Sequence, residues 1–190
     1  LGKAGLAELY HKHKNGSTKY MKEAIKLYNQ AADKGFKISQ SILGDIYKNG
    51  DGVKKDIKKA LQFYTLAADQ GDAYSQVQLG LIYDLGEEVK RDIKKALQLY
   101  TLAANQDYAK GQNHIGQLYY YGEGVKKDFN KAFKFFKLAA DQGDAFSQNN
   151  LGRLYYYGKG VNKDISKAIN LLKLSADQGN TDSQSRLGQI

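Results

Sequence analysis

Apolar residues recur along this chain at helical spacing, and the whole pattern then repeats every 36 residues. A Leu-Gly or Ile-Gly pair stands at Leu43-Gly44, Leu79-Gly80, Ile115-Gly116, Leu151-Gly152 and Leu187-Gly188. An alanine pair stands at Ala31-Ala32, Ala67-Ala68, Ala103-Ala104 and Ala139-Ala140, and becomes Ser175-Ala176 in the last copy. A fixed period of this length marks a stacked array in which each unit buries its apolar face against its neighbours. Within one unit, Leu79, Ile82 and Tyr83 fall at i, i+3 and i+4 and share a helical face, with Gly80 and Gln76 close beside them. A second helix follows Asp92, with Ile93, Ala96, Leu97, Tyr100, Ala103 and Ala104 on its apolar side.

The polar positions between these stretches supply the helix ends. Asp92 is placed as an N-cap that accepts from the first free backbone N–H groups, and Asp56, Asp128 and Asp164 hold the same column. The two helices of a unit are joined by Asn49-Gly50-Asp51-Gly52-Val53, Tyr121-Gly122-Glu123-Gly124-Val125 and Tyr157-Gly158-Lys159-Gly160-Val161. Their glycines allow positive φ, and the valine can plug the turn back against the helix pair. Gly71 suits a left-handed position after the second helix, and Asp72 can cap the helix that follows. One unit departs at two points: Glu88 replaces the loop's second glycine, and Asp107 replaces the glycine after the second helix. Altered turns are expected there within an intact repeat.

Each mid-helix glycine costs about 1 kcal/mol relative to alanine, so five of them give up roughly 5 kcal/mol of helix propensity. The expected compensation is a close approach of the paired helix through small residues such as Ala96 and Ala103.

The run from Leu-Gly through Tyr, Gly-x-Gly-Val, Asp, Lys-Ala, Tyr, Ala-Ala, Gly and Gln resembles the Sel-one-like repeat (SLR), a relative of the tetratricopeptide repeat. The resemblance covers essentially the whole chain, and many columns recur together at one period. It implies an all-α, right-handed superhelical solenoid of stacked antiparallel helix pairs that mediates protein–protein contacts, often as an adaptor. It implies no reaction.

Composition changes this picture only at its edges. The 190 residues include no proline, cysteine or tryptophan. Disulfide scaffolds and cysteine metal sites are thereby excluded, which also separates the chain from the cysteine-rich secreted branch of the resembling family. No apolar run approaches the roughly 18 to 20 residues of a membrane span, and no signal peptide is visible. A cytoplasmic setting is favoured on these grounds. Starting at Leu1 and stopping at Ile190 inside a helix, the sequence has the look of a part of something longer. One domain of eleven helices is expected, in units of about 1–34, 35–70, 71–106, 107–142 and 143–178, with a half unit at 179–190. The first unit is divergent. Leu6, Leu9 and Tyr10 would supply its first helix and Ala24, Ile25, Tyr28, Ala31 and Ala32 its second, with Ser17 or Thr18 available to cap.

Candidate chemistry is sparse. His11 and His13 are two residues apart and point away from each other on a helix, so they cannot share a metal there; His114 stands alone. The glycine loops follow helices, not strands, and lack the phosphate-binding patterns, while Gly50-Asp51-Gly52 lacks the alternating ligands of a calcium loop. No serine–histidine–carboxylate set is suggested by spacing. No enzyme activity and no cofactor are expected.

The charge is the strongest competing signal. Twenty-nine Lys plus Arg oppose 20 Asp plus Glu, a formal net charge of +9. Lysines cluster around each second helix, as at Lys54, Lys55, Lys58 and Lys59 or Lys126, Lys127, Lys131, Lys134 and Lys137. Stacked units would align them into an outer stripe able to neutralise phosphates. Lysine is also the ordinary solubilising residue of a wet helix face and snorkels over apolar neighbours. The solvated face is the favoured reading, so nucleic acid and membrane are not the expected partners. Polyanion binding through the stripe is the alternative.

A binding face follows from the first helices. Turning 180° from Leu79, Ile82 and Tyr83 selects the columns of Tyr74, Val77, Leu81 and Asp84, where the units differ most. These columns read Ile38, Ser41, Asp45, Lys48 in the second unit, Lys110, Asn113, Gln117, Tyr120 in the fourth and Phe146, Asn149, Arg153, Tyr156 in the fifth. The resemblance puts first helices along the concave groove. A peptide or protein partner is therefore expected to contact Asn113, Gln117, Tyr120, Asn149, Arg153 and Tyr156, because Tyr and Arg are over-represented among interface hot spots.

Overall fold

The computed structural model describes residues 18–86 and 88–190. Among the described residues are ten helices and no strand: α1 (Thr18–Asp33), α2 (Lys37–Asn49), α3 (Ile57–Asp69), α4 (Ala73–Leu85), α5 (Ile93–Ala104), α6 (Ala109–Tyr121), α7 (Phe129–Asp141), α8 (Ala145–Tyr157), α9 (Ile165–Asp177) and α10 (Thr181–Leu187). The helix expected around Leu6, Leu9 and Tyr10, and the cap expected at Ser17, lie outside the described residues. Two compact units divide the chain, one ending at Asp92 and the other running from Ile93 to Ile190. In the first unit α1 packs on α2, α2 on α3 and α3 on α4; in the second, α5 through α10 each pack on the next. The fold is an all-α solenoid of stacked helix pairs.

The helix ends follow the expected columns. Asp56, Asp128 and Asp164 each accept from the backbone N–H three residues on, at 2.9 Å, and open α3, α7 and α9. Asp72 and Asp144 do the same for α4 and α8, at 2.8 and 2.7 Å. The joining loops are pinned at both ends. Gly50 and Gly122 sit in the left-handed region and donate to Ile46 and Leu118, while the N–H groups of Asp56 and Asp128 return to the carbonyls of Tyr47 and Tyr119. Val53 and Val161 pack against the neighbouring cores, so the valine does plug the turn.

The two irregular turns differ from expectation. Asp107 takes φ +56° and Glu88 φ +55°, so side-chain-bearing residues occupy the glycine conformation. The turn around Asp107 keeps its shape: the N–H of Asp107 donates to Ala104 O at 3.0 Å and that of Tyr108 to Ala103 O at 3.2 Å. Gly71 and Asp72 make the same two bonds at 2.9 and 3.1 Å. Completing both bonds outweighs the cost of a left-handed L residue, so the turn is conserved and the strain is carried locally.

The mid-helix glycines also have a different partner from the one expected. A Cβ on Gly116 would stand 2.6 Å from the ring of Phe136, a Cβ on Gly44 would collide with the ring of Tyr64, and one on Gly152 would meet Leu172 at 3.2 Å. The compensation for lost helix propensity is therefore a large side chain from the second helix, seated where the first has none. Ala103 instead faces Gly111, at 2.9 Å from its hypothetical Cβ. The seated residues Tyr64, Phe136 and Leu172 are each fully buried, as are Tyr28 and Tyr100 at the same column of the repeat.

Polar residues are woven through the same core. Gln40 and Gln76 donate to the carbonyls of Ala32 and Ala68, which end the preceding helices. Gln70, Gln142 and Gln178 then donate to Gln40, Gln112 and Gln148 at 2.7, 2.8 and 2.9 Å. These glutamines satisfy the orphan carbonyls of helix ends that the stack has buried.

Candidate functional site

The columns proposed to line the groove are crowded before any partner arrives. In the first unit α4 packs on α3, and Val77, Leu79 and Ile82 are all buried, although Val77 lies opposite the other two. Within the first unit, groove residues Asp45, Lys48 and Tyr74 are already bonded inside the protein. Tyr64 and Tyr74 both donate to Asp45 Oδ1, each at 2.6 Å, and Lys48 donates to Gln78 at 2.7 Å.

In the second unit, α6 and α8 carry the six candidate residues. Asn113 and Asn149 are buried, at 6% and 5% exposure. Asn113 accepts from Ser147 at 3.0 Å and from Asn150 at 3.4 Å, so its amide joins neighbouring repeats. Gln117, Tyr120, Arg153 and Tyr156 are half-buried. Gln117 Oε1 lies 3.1 Å from His114 Nδ1, and the His114 ring stacks on buried Tyr100 at 4.7 Å.

Tyr120 and Arg153 are brought together. The guanidinium lies 5.2 Å from the Tyr120 ring centroid, and Arg153 Nη2 donates to the Tyr120 hydroxyl at 3.3 Å. The ring meets Tyr121 edge-on at 4.9 Å and Phe129 at 5.4 Å. Tyr156 repeats part of this pattern, meeting Tyr157 at 4.9 Å with Lys163 Nζ 5.8 Å from its ring. Tyr121, Phe146 and Tyr157 are exposed beside them. The result is an aromatic surface studded with cations, suited to holding carboxylates, amides and apolar side chains by shape.

The outer lysines have structural employment. Lys59 lies over Tyr47, Lys131 over Tyr119 and Lys167 over Tyr155, at 5.0, 5.0 and 5.5 Å, in one repeating column. Lys167 also pairs with Asp164 at 3.1 Å; the backbone N–H of Lys167, before its side chain, holds the Asp164 carboxyl below its ordinary range. Sequence reasoning recorded both the lysine and tyrosine columns without joining them, although both keep the 36-residue period. Among the described residues no cluster of histidine, cysteine or carboxylate side chains is suited to a metal ion, and no helix is long and apolar enough to cross a membrane.

The Sel1 repeat model matches residues 4–36, 38–72, 73–108, 109–144 and 145–180. The chain belongs to the Sel1 repeat family. Among solved structures, it is similar to a Sel1 repeat protein from Oxalobacter formigenes, with 37% identity and a TM-score of 0.84 over 89% of this chain and 69% of the other. It also resembles a protective antigen of uropathogenic Escherichia coli that displays an SLR fold, at 28% identity and TM-score 0.62, over 97% of this chain and 51% of that one. An immunity protein from Pseudomonas aeruginosa shares the fold at 23% identity and TM-score 0.65, over 95% of this chain and 67% of the other. No curated protein sequence matches. Sel1 repeat proteins are generally protein–protein interaction scaffolds, and the solenoid is typically non-enzymatic.

Proposed function

We propose that this Sel1 repeat protein is a non-catalytic adaptor, residues 1–190 acting as one repeat domain, that binds a peptide or protein segment across α6 and α8. The Tyr120–Arg153 pair carries the reading. Two side chains of the kind that dominate interfaces are held in one geometry at half burial, which lowers the entropy lost when a partner orders them. Gln117 and Tyr156 extend the contact along the same helices, while buried Asn113 and Asn149 stand behind it and Asn113 bonds across to Ser147 and Asn150 of the next repeat. Family membership supports a protein partner, and the lysine–tyrosine column speaks against the basic stripe as the main binding surface.

A displayed random-peptide library selected on the intact chain tests this. Selected peptides should lose at least about 1 kcal/mol of affinity with each of Tyr120→Ala, Arg153→Ala and Tyr156→Ala, in proteins whose thermal midpoints show that they fold. Wild-type affinity in all three, with weakening by Lys126→Ala and Lys127→Ala, would move the binding surface to the basic stripe.

A further inference from the structure

The joining loop between α8 and α9 breaks the charge pattern of the array. Its middle position holds an acid in the earlier regular repeats, Asp51, Glu87 and Glu123, and a base here, Lys159. The loop lies directly on the first turn of α7: Gly160 takes φ +69°, and a Cβ on it would collide with the carbonyl of Phe129. Lys159 thereby meets three rings. Its Nζ lies 5.3 Å from the Phe129 centroid, 5.4 Å from that of Tyr157 and 5.5 Å from that of Tyr120. One and two repeats earlier the ring positions read Asp84, Ile93, Tyr121 and Lys48, Ile57, Leu85, so the sequence supplies three rings only here.

The charge around this set is one-sided. Tyr120 carries Arg153 at 5.2 Å as well as Lys159, and Lys163 Nζ lies 5.8 Å from the Tyr156 ring. Between Arg153 and Lys173 the cations Arg153, Lys159, Lys163, Lys167 and Lys173 face a single acid, Asp164, which Lys167 engages. Among the described residues the ammonium groups of Lys159 and Lys163 have no hydrogen-bonding or ion-pair partner. Ring faces offset part of an ammonium's charge but leave its three N–H donors without an oxygen acceptor. A lysine already held by rings also has less side-chain freedom left to lose on binding. Lys159 is half-buried and both Lys163 and Tyr157 are exposed, so an anion arriving from solvent can complete the site with a charge-assisted hydrogen bond. Arg153 bonds Tyr120 and Asn150, so the site offers point charges and no open guanidinium fork. That suits a carboxylate better than a phosphate dianion.

We propose that Lys159 sets the specificity of this surface: the bound segment is acidic, and one of its Asp or Glu side chains meets the Lys159 ammonium beside Tyr120, Phe129 and Tyr157. The inference rests on the peptide-binding reading above and supplies the partner's chemistry.

Ring currents from three neighbours should set the Lys159 side-chain signals apart from those of the other lysines in a ¹³C-lysine-labelled sample, and their loss in Lys159→Gln assigns them. The probes are acetyl-Glu-Leu-Glu-amide, acetyl-Gln-Leu-Gln-amide and the phosphoserine counterpart of the first. The glutamate peptide should shift the Lys159 signals saturably and bind at least about tenfold more tightly than the glutamine peptide. Lys159→Glu restores the acid of the earlier loops and should weaken the glutamate peptide by about tenfold or more. Lys126→Glu, the same charge change on the loop between α6 and α7, should leave its affinity within about twofold. If Lys159→Glu fails to fold, Lys159→Gln should still weaken the glutamate peptide and leave the glutamine peptide unchanged. Absent saturation, equal affinity for the glutamate and glutamine peptides, or equal losses in Lys159→Glu and Lys126→Glu would overturn the proposal. So would a phosphoserine peptide bound more than about tenfold tighter than the glutamate one. Library peptides that depend on Tyr120, Arg153 and Tyr156 yet lack acids and tolerate Lys159→Gln would sink the acidic assignment and spare the groove. A glutamate peptide held by Lys159, with no library peptide dependent on those three residues, would do the reverse.

Discussion

The ring of Phe136 lies over Gly116 so closely that a Cβ there would stand 2.6 Å from two of its carbons. Alanine would recover about 1 kcal/mol of helix propensity but must push a fully buried ring aside. We expect Gly116→Ala to lower stability by about 1–2 kcal/mol net, as overpacking exceeds propensity. At Gly152 the tightest neighbour is Leu172 at 3.2 Å, a smaller and more adaptable side chain, so Gly152→Ala should fall within about 0.5 kcal/mol of wild type. Adding Phe136→Leu to Gly116→Ala should recover part of the loss, since it recreates the pairing that Gly152→Ala makes with Leu172 in the neighbouring repeat. Chemical denaturation of the four proteins checks the ranking, and equal losses at both glycines would show that ring contact does not set the cost.

Asp107 and Glu88 occupy left-handed backbone that their equivalents in other repeats give to glycine. An L residue there costs roughly 1–2 kcal/mol, partly offset by the greater freedom of glycine in the unfolded chain. Glu88→Gly and Asp107→Gly should each raise stability by up to about 1 kcal/mol. Glutamate should gain more, because aspartate tolerates this region better. Thermal midpoints measure it, and a fall in both would show that these side chains make contacts worth more than the strain.

The repeat, its helices and its caps were legible because each is written locally: a period of 36, an aspartate before the second helix of every regular unit, a glycine in each loop. What pairs across the period was less visible. Gly116 is read as a gap, but the residue filling it is 20 positions away, and nothing local distinguishes Phe136 from Ala103 as the occupant. The binding face shows the same limit. A single helix has an inside and an outside, so Asn113 and Asn149 fell on the open side by angle alone. Stacking covers that side too, and only residues long enough to clear the neighbouring helix, such as Tyr120 and Arg153, remain reachable. The turn at Asp107 was misjudged because a residue's preference was weighed without the two hydrogen bonds its neighbours impose.

Burial pushes the Tyr28 hydroxyl up to about 12 from an ordinary value of 10.0. A folded-state value above the unfolded one means that the native state keeps its proton longer. The associated stability is complete below pH 10 and is lost as pH rises toward 12. Between those limits the wild type should lose stability more steeply than Tyr28→Phe, by up to about 1.4 kcal/mol per pH unit, the value of one proton. Denaturant titrations of both proteins at several pH values give the difference directly and cancel the lysines and other tyrosines that titrate alongside. Parallel curves would mean that Tyr28 ionises as readily in the folded state as in the unfolded one.

The lysine–tyrosine column makes the last prediction. Lys59, Lys131 and Lys167 sit over Tyr47, Tyr119 and Tyr155, so their stems cover aromatic surface and their charges are partly committed. Lys131→Ala should therefore cost about 0.5–1 kcal/mol of stability, the range for an exposed cation–π contact, while Lys126→Ala on the adjoining loop should cost nothing measurable. A stripe built for phosphates would behave differently. It would hold duplex DNA through many simultaneous contacts, and affinity would fall steeply with salt, with a log–log slope near −0.9 for each phosphate neutralised. With a net charge of +9, some association at low ionic strength is unavoidable. We expect a shallow slope of about −1 to −3 and no measurable complex at about 0.15 M salt, where the screening length is only about 8 Å. A slope steeper than about −6, relieved one contact at a time by lysine substitutions, would mean that the outer face binds polyanions and that the tyrosines merely support it.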